Sequence, residues 1–291
     1  MIAGAQSEVG AIRRILLRHA RGAWGGDERI GREWRALGFL AAPDHAAAAA
    51  EYDRFAALLE RLGAEPVFAP ADPALGLDSI YVRDAVVLCE RGAVLCRMGK
   101  QARRDEPLAL VPVLERLSIP VLGAIGGAGR LEGGDVVWLD RRTLVVGRGY
   151  RTNDEGAAQL RALLGDAVDE LWVVPLPHHR GPDDVFHLMS ILSPIDRDLA
   201  LVYSPLMPVP LRERLLERGL DLVEVPPEEL DTLGCNVLAV APRRCVMAAG
   251  SPLTRARLER AGAEVHEFDG GEICAKGSGG PTCLTRPLER G

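Results

Sequence analysis

The sequence predicts an α/β fold built from five ββαβ-like units set around a common axis. Three observations carry that expectation. Hairpin-like stretches recur at nearly constant spacing, each opened by a polar residue. These residues are Asp84, Asp135, His187 and Asn236, separated by 51, 52 and 49 residues, with Cys283 a further 47 residues on. Each hairpin is followed by a stretch with helical periodicity and then by another strand. The hairpin strands (VVL, VLC, VVWL, LVVG) are apolar with little alternation, as expected of strands buried on both faces. The turns CERG, LDRR, IDRD and APRR carry charge and belong at the water interface.

Taken in chain order, the first unit is the least complete. It has the strand RRILLRHA and a helix in DHAAAAAEYDRFAALLERLG, where Phe55, Leu58, Leu59 and Leu62 share a face. Asp44 can cap that helix and Gly63 can close it before the strand AEPVFAP. The second unit has a hairpin at 84–98, a helix near 105–117 and the strand IPVLGA. The third has a hairpin at 135–149, a helix at 154–164 behind Asn153, and DELWVVPLP. The fourth runs from 187 to 204, with a helix from Pro208 to Arg218 and the strand LDLVEVP. The fifth has a hairpin at 236–249 and a helix at 251–261, with Ser251 as cap and Pro252 in its first turn, then AEVHEFDG. No low-complexity linker divides the chain, so a single domain over 1–291 is expected.

Composition narrows the function classes. The chain has 291 residues, 47% hydrophobic and 26% charged, enough for a sizeable core. A net charge of −6 argues against nucleic acid as the main partner. No apolar run is long enough to span a membrane, and the N-terminus lacks the look of a signal peptide. Six scattered cysteines without a CxxC pair suggest reduced thiols and a cytoplasmic protein. They also lack zinc-ligand spacing, so no metal is expected. The glycines of GAIGGAGR (123–130) precede a strand where a dinucleotide fingerprint would precede a helix. A flexible loop at the active site is the better reading, and no cofactor is expected. A homo-oligomer is left open.

The chemistry lies in the polar residues at the repeat phases. Cys283 sits in GSGGPTCLTRP, a shaped loop unlike the apolar run that holds a core cysteine. A nucleophilic thiolate needs a base or cation nearby. His187 is a candidate for that role, although a buried, hydrogen-bonded histidine would also fit. Lone carboxylates at strand ends are usually solvated or paired, but Asp84, Glu132 and Asp135 at matching phases resemble a cage for a planar cation. A guanidinium offers donors in that geometry. His178 and His179, adjacent in PHHRGPDD, read as loop residues.

At this level the motifs SIYVRD, RLEGGD, GRGYRTN, FHLMS, LGCNVLA and GGPTCLTRPLER resemble those of the guanidine-modifying superfamily. That superfamily includes arginine deiminases, dimethylarginine dimethylaminohydrolases, arginine dihydrolases and amidinotransferases. The resemblance runs from about residue 12 to 290 and implies a five-bladed α/β propeller with pseudo-five-fold symmetry. It implies Cys283 as nucleophile, His187 as general acid and base, and Glu132 and Asp84 as the carboxylates that grip the guanidinium. Tyr81 would pack beside the substrate and Asp78 would lie near its amino group. Arg151 would hold its carboxylate, with Arg103, or its neighbour Arg104, as a second clamp. Asp135 and Asn236 are carried as further substrate-binding candidates.

One position departs from the deiminase pattern. Where deiminases carry H-x-D, this chain has His187-Leu188-Met189, which argues against plain arginine deiminase. Dimethylarginine hydrolases also lack that aspartate, and so do the arginine dihydrolases, whose wording PHHRGP, HLMS and GCNVLA is nearest. The resemblance therefore implies cysteine-dependent hydrolysis of C–N bonds in the guanidinium group of arginine or an arginine derivative, dihydrolase- or deiminase-like, giving ornithine or citrulline plus ammonia. Dimethylarginine hydrolysis is the first alternative. An amidinotransferase, which usually carries longer insertions, and a silent arginine-binding protein, which would lack the cysteine or the histidine, come after it.

Overall fold

The computed structural model describes residues 4–291. It contains five three-stranded sheets, in agreement with the five repeats read from the sequence. In four blades the order along the sheet follows the chain: a first strand, an antiparallel second and a third parallel to the second. These are Val86–Cys89, Gly92–Leu95 and Val121–Ala124; then Val136–Trp138, Thr143–Arg148 and Glu170–Pro175. Leu192–Asp196, Leu199–Val202 and Asp221–Glu224 follow, and then Leu238–Ala241, Arg244–Ala248 and Glu264–Phe268.

The remaining blade joins the two ends of the chain. Ile12–Leu17 pairs in parallel with Glu65–Phe68 and antiparallel with the last strand, Arg286–Arg290. The apparently incomplete first unit thus takes its missing strand from the C-terminus. This closes the ring and leaves each blade with the same three-strand plan.

Burial explains the missing hydrophobic alternation. The first two strands of the second blade are wholly buried, whereas its third strand is partly exposed. Val86 and Leu88 belong to a cluster shared with Leu16 and Leu288 of the first blade. Val87 and Cys89 belong to one shared with Val136, Trp138 and Leu144 of the third. Successive side chains point to opposite faces of a strand, and here each face meets a neighbouring blade, so both must be apolar.

Helices form the outer layer. His45–Arg61 begins at Asp44, whose carboxylate accepts from the amide of Ala47 at 2.7 Å. Asp154–Leu164 begins at Asn153, which accepts from the amide of Gly156 at 2.9 Å. The helix expected near 105–117 is two short helices, Glu106–Ala109 and Val111–Arg116, with a proline in the first turn of each. At Pro252–Arg260 the cap differs from expectation. Ser251 Oγ is engaged with Thr232, and the helix amides of Leu253 and Thr254 donate instead to Glu229 at 2.8 and 2.7 Å. No described helix is long and apolar enough to cross a membrane.

Candidate active site

The polar residues at the repeat phases do not begin strands. Asp84 and Asp135 lie one step earlier, on the single helical turns Val82–Ala85 and Gly133–Asp135 that lead into the first strands, and Glu132 and His187 cap the turns Gly133–Asp135 and Leu188–Ser190. Those turns pack against one another, which brings Asp84, Glu132, Asp135 and His187 together, all at most 3% exposed. Gly134 makes the approach possible. A Cβ there would lie 2.6 Å from His187 Nδ1 and 2.8 Å from Asp84 Oδ1.

Glu132 is the hub. Its Oε2 lies 2.7 Å from His187 Nε2 and 3.2 Å from Arg151 Nη1. Its Oε1 accepts from the amides of Gly99 and Lys100 at 2.8 and 3.2 Å. Burial favours the neutral acid, but hydrogen bonding and charge from His187, with Arg151, hold this carboxyl well below the usual range. His187 responds in the opposite sense. Burial would lower its pKa, but Asp84, Asp135 and Glu132 outweigh burial and raise it to about 9. The resting imidazole is therefore charged at neutral pH. With Nε2 donating to Glu132, its Nδ1–H remains free of a close partner, 4.0 Å from Asp84 Oδ1.

Asp84 accepts from the amide of Gly134 at 2.8 Å and from Arg103 Nη1 at 2.6 Å. Each carboxylate oxygen keeps a lone pair for another donor. Arg103 is less available than the sequence suggests. Its guanidinium also donates to Glu106 and to the carbonyl of Tyr81, so it braces Asp84. Arg104 is exposed and lies outside both cavities described below. Arg151 has donors beyond its pairing with Glu132. Asp135 supports the site from beneath, accepting from the amide of Leu188 at 2.9 Å. Burial pushes its pKa up to about 6 against the pull of His187.

Cys283 is half-buried and held from the fifth blade. Asn236 Nδ2 donates to its Sγ at 3.3 Å. Asn236 Oδ1 accepts from the amide and hydroxyl of Thr282 at 3.0 and 2.7 Å, which fixes the amide orientation. Asn236 thus holds the thiol from the protein side. Gly280 lets the loop sit this close, because a Cβ there would lie 2.4 Å from Asn236 Oδ1. Burial and the charge of Asp84 raise the thiol pKa, while bonds from Asn236, Thr282 and Gly280 pull the other way. The resting group is a thiol.

Two cavities meet at Cys283 and His187. A tight one of about 20 Å³ is lined by Asp78, Tyr81, Asp84, Lys100, Arg103 and Arg151, among others. Within it Lys100 Nζ pairs with Asp78 at 2.5 Å. A wide one of about 480 Å³ is lined by Arg180, Asp183, Val185, Phe186, Met189 and Leu233, among others. His179 lines the wide one too; His178 does not. The loop at 123–130 lines neither cavity. Gln159 and Asn153 pin it at the rim of the third blade's helix, so its expected place at the active site is not observed.

Sequence reasoning missed Lys100, Glu106 and Thr282. Of these only Thr282, next to Cys283 in its motif, carried a local signal. Asp84, Glu132 and His187 present ligand atoms within 4.8 Å of one another and could in principle surround an ion. Here their partners are the cations Arg103, Arg151 and the imidazolium itself. The set is an acidic cradle suited to N–H donors.

A family model described as arginine deiminase matches residues 78–213 and 207–290. The chain belongs to the arginine deiminase family. Within this family's wider kin it is 33% identical over 243 residues to N(G),N(G)-dimethylarginine dimethylaminohydrolase of Streptomyces coelicolor, covering 83% of this chain and 86% of that one. A solved dimethylarginine dimethylaminohydrolase from Pseudomonas aeruginosa is 25% identical, with a TM-score of 0.75. It is a cysteine-to-serine variant in complex with citrulline, and the match covers 97% of this chain and all of that one. The N-terminal domain of an arginine dihydrolase from cyanobacteria shares the fold, with a TM-score of 0.79 at 20% identity over 96% of this chain and 98% of that one. These neighbours agree with the five-bladed propeller.

Proposed function

We propose that the protein is a cysteine-dependent hydrolase that cleaves a C–N bond in the guanidinium group of an arginine derivative. It is a hydrolase acting on C–N bonds in linear amidines. The single observation that carries the cysteine reading is the meeting of Cys283, the charged His187 and the carboxylates Asp84 and Glu132 at the junction of two cavities.

In this reading the guanidinium donates to the remaining lone pairs of Asp84 and Glu132. Burial and then Asp84 raise the thiol pKa; the guanidinium charge offsets that of Asp84, so binding favours the thiolate. The thiol proton leaves through the wide cavity. Sγ attacks the guanidinium carbon, and the C–N bond breaks as His187 Nδ1–H protonates the departing amine. A covalent thiouronium is left on Cys283. Neutral His187 then takes a proton from water, the water oxygen bonds to the carbon, and the C–S bond breaks to give a ureido product. Cys283 supplies the nucleophile, His187 carries the proton, and water is the second reactant.

Methylated arginine is the substrate best supported. The Streptomyces and Pseudomonas relatives bear that activity in their names, and the Pseudomonas protein holds citrulline. Met189, which stands where deiminases have aspartate, lines the wide cavity beside His187, so the reacting end of the pocket is apolar on one side. Arginine hydrolysed once or twice is the second reading, favoured by the same methionine, because a ureido oxygen would meet no opposing carboxylate there. Arg151 supports a requirement for a free α-carboxylate. The six free cysteines support a reducing, cytoplasmic setting. The test is kcat/KM for arginine, dimethylarginine, citrulline and agmatine, with products separated by mass. Dimethylarginine should lead and agmatine should be poor. Turnover of none of the four, or agmatine in front, contradicts the reading.

A further inference from the structure

Three arginines are buried next to the catalytic turns; Arg83 also borders the wide cavity, and Arg286 and Arg290 line neither cavity. Arg83 precedes Asp84 and is 1% exposed; Arg286 and Arg290 begin and end the strand that closes the ring and are 4% and 2% exposed. One carboxylate answers them. Glu8 accepts from Arg83 Nη2 at 2.8 Å. Burial pushes Glu8 up, but the charges of Arg83, Arg290 and Arg286 together bring it below the usual range. Arg290 Nη1 donates to the carbonyls of Gly10 and Ala239 at 2.6 and 2.9 Å. Among the described residues Arg286 makes no side-chain hydrogen bond. The Nε atoms of Arg83, Arg286 and Arg290, and Nη2 of Arg290, are buried without a partner.

Two separate costs coincide here. Buried N–H groups are almost always paired, and four unpaired donors in one cluster are unusual. Three guanidiniums against one contacting carboxylate also leave buried positive charge incompletely answered, which is far more costly than an unpaired amide. Water could satisfy the donors but would not answer the charge. Nor do guanidiniums shed it readily, since they stay protonated at neutral pH even when burial depresses them. Asp84 also acts on Arg286, but its carboxylate is in contact with Arg103 and not with any of the three. Donors and charge together call for a negative ligand.

We propose that Arg83, Arg286 and Arg290 form a binding site for a small monovalent anion, a halide or a compact oxyanion such as formate or bicarbonate. The anion takes the unpartnered N–H groups and joins the closing strand, through Arg286 and Arg290, to the turn that carries Asp84, through Arg83. It is thus a structural ligand of ring closure. Nothing in this assignment depends on which guanidine the enzyme hydrolyses.

The test uses the full-length protein exchanged into sodium gluconate, whose anion is too large for the cluster. Chloride, formate or bicarbonate then replaces gluconate at constant ionic strength while the melting temperature is followed. A saturable rise of several degrees is expected with at least one of the three, and which one responds separates a halide site from an oxyanion site. Arg286→Met should abolish the response, whereas the exposed Arg142→Met should keep it. Identical melting in gluconate and in all three anions, or an undiminished response in Arg286→Met, overturns the proposal. Should Arg286→Met fail to fold, wild-type crystals grown in bromide and in formate give the second measurement. Anomalous or trigonal density against Arg286 Nε supports the site, and water alone in both overturns it.

Discussion

The two cavities on either side of Cys283 differ in size and chemistry. The tight one, about 20 Å³, has room for roughly one water, and charged pairs line it: Lys100 with Asp78, Arg103 with Asp84. The wide one, about 480 Å³, has Val185, Phe186, Met189 and Leu233 in its wall. A tight pocket lined by charged pairs discriminates strongly, because a ligand lacking a matching group leaves buried partners unpaired. A wide, partly apolar chamber does not. On the proposed function the protein would be strict about one end of its substrate and permissive about the other, with Cys283 and His187 at the boundary.

The largest expected effect removes the boundary itself. Cys283→Ser should lower turnover by at least about 10³-fold while the protein keeps its melting temperature, since a serine hydroxyl is far less ionised than a thiol. Residual activity above roughly a tenth of wild type would remove Cys283 from the mechanism.

The next effect lies on the strict side. Arg151→Met should raise KM for carboxylate-bearing substrates by about 10–100-fold, the loss expected for a charge-assisted bond, and should change agmatine little. Equal losses for both would mean that Arg151 only orients Glu132.

On the permissive side, Met189→Asp should reduce kcat/KM for dimethylarginine by about tenfold relative to arginine, because a new buried acceptor is left unpaired by methyl groups. An unchanged ratio would show that the wide cavity does not meet the substituted nitrogen.

The smallest effect is in pH. His187 is raised from 6.5 to about 9, so its charged form is favoured by folding. That contribution is complete below about pH 6.5 and disappears as pH rises through about 9. Melting temperature should therefore fall by a few degrees across that window, and a His187→Gln variant should lose less stability over the same range. A flat profile from pH 7 to 10 would contradict the imidazolium.

How much of this was legible in sequence depends on how local each signal was. The repeat phases of Asp84, Glu132, Asp135, His187, Asn236 and Cys283 lie on the chain itself, and the structure gathers all six. Closure of the first blade was not legible, because Ile12–Leu17 finds Arg286–Arg290 across nearly the whole chain. Arg103 read as a substrate clamp, since nothing in QARRDE shows that Glu106 and Asp84 occupy its fork. Ser251 has the sequence look of a cap, but Glu229, more than twenty residues away, reaches the helix amides first. Arg83 sits inside the YVRD motif, and only folding shows that the charges of Arg286 and Arg290 act with it on Glu8.

The central claim is a covalent bond between Cys283 and the guanidinium carbon. Wild-type enzyme mixed with excess dimethylarginine and quenched in acid within one turnover should carry an added amidino-substrate mass on the peptide containing Cys283, and the mass should vanish when substrate is exhausted. Labelling confined to Cys89, Cys96, Cys235, Cys245 or Cys274, or turnover with no adduct in Cys283 at any quench time or in a His187→Gly variant, would contradict it.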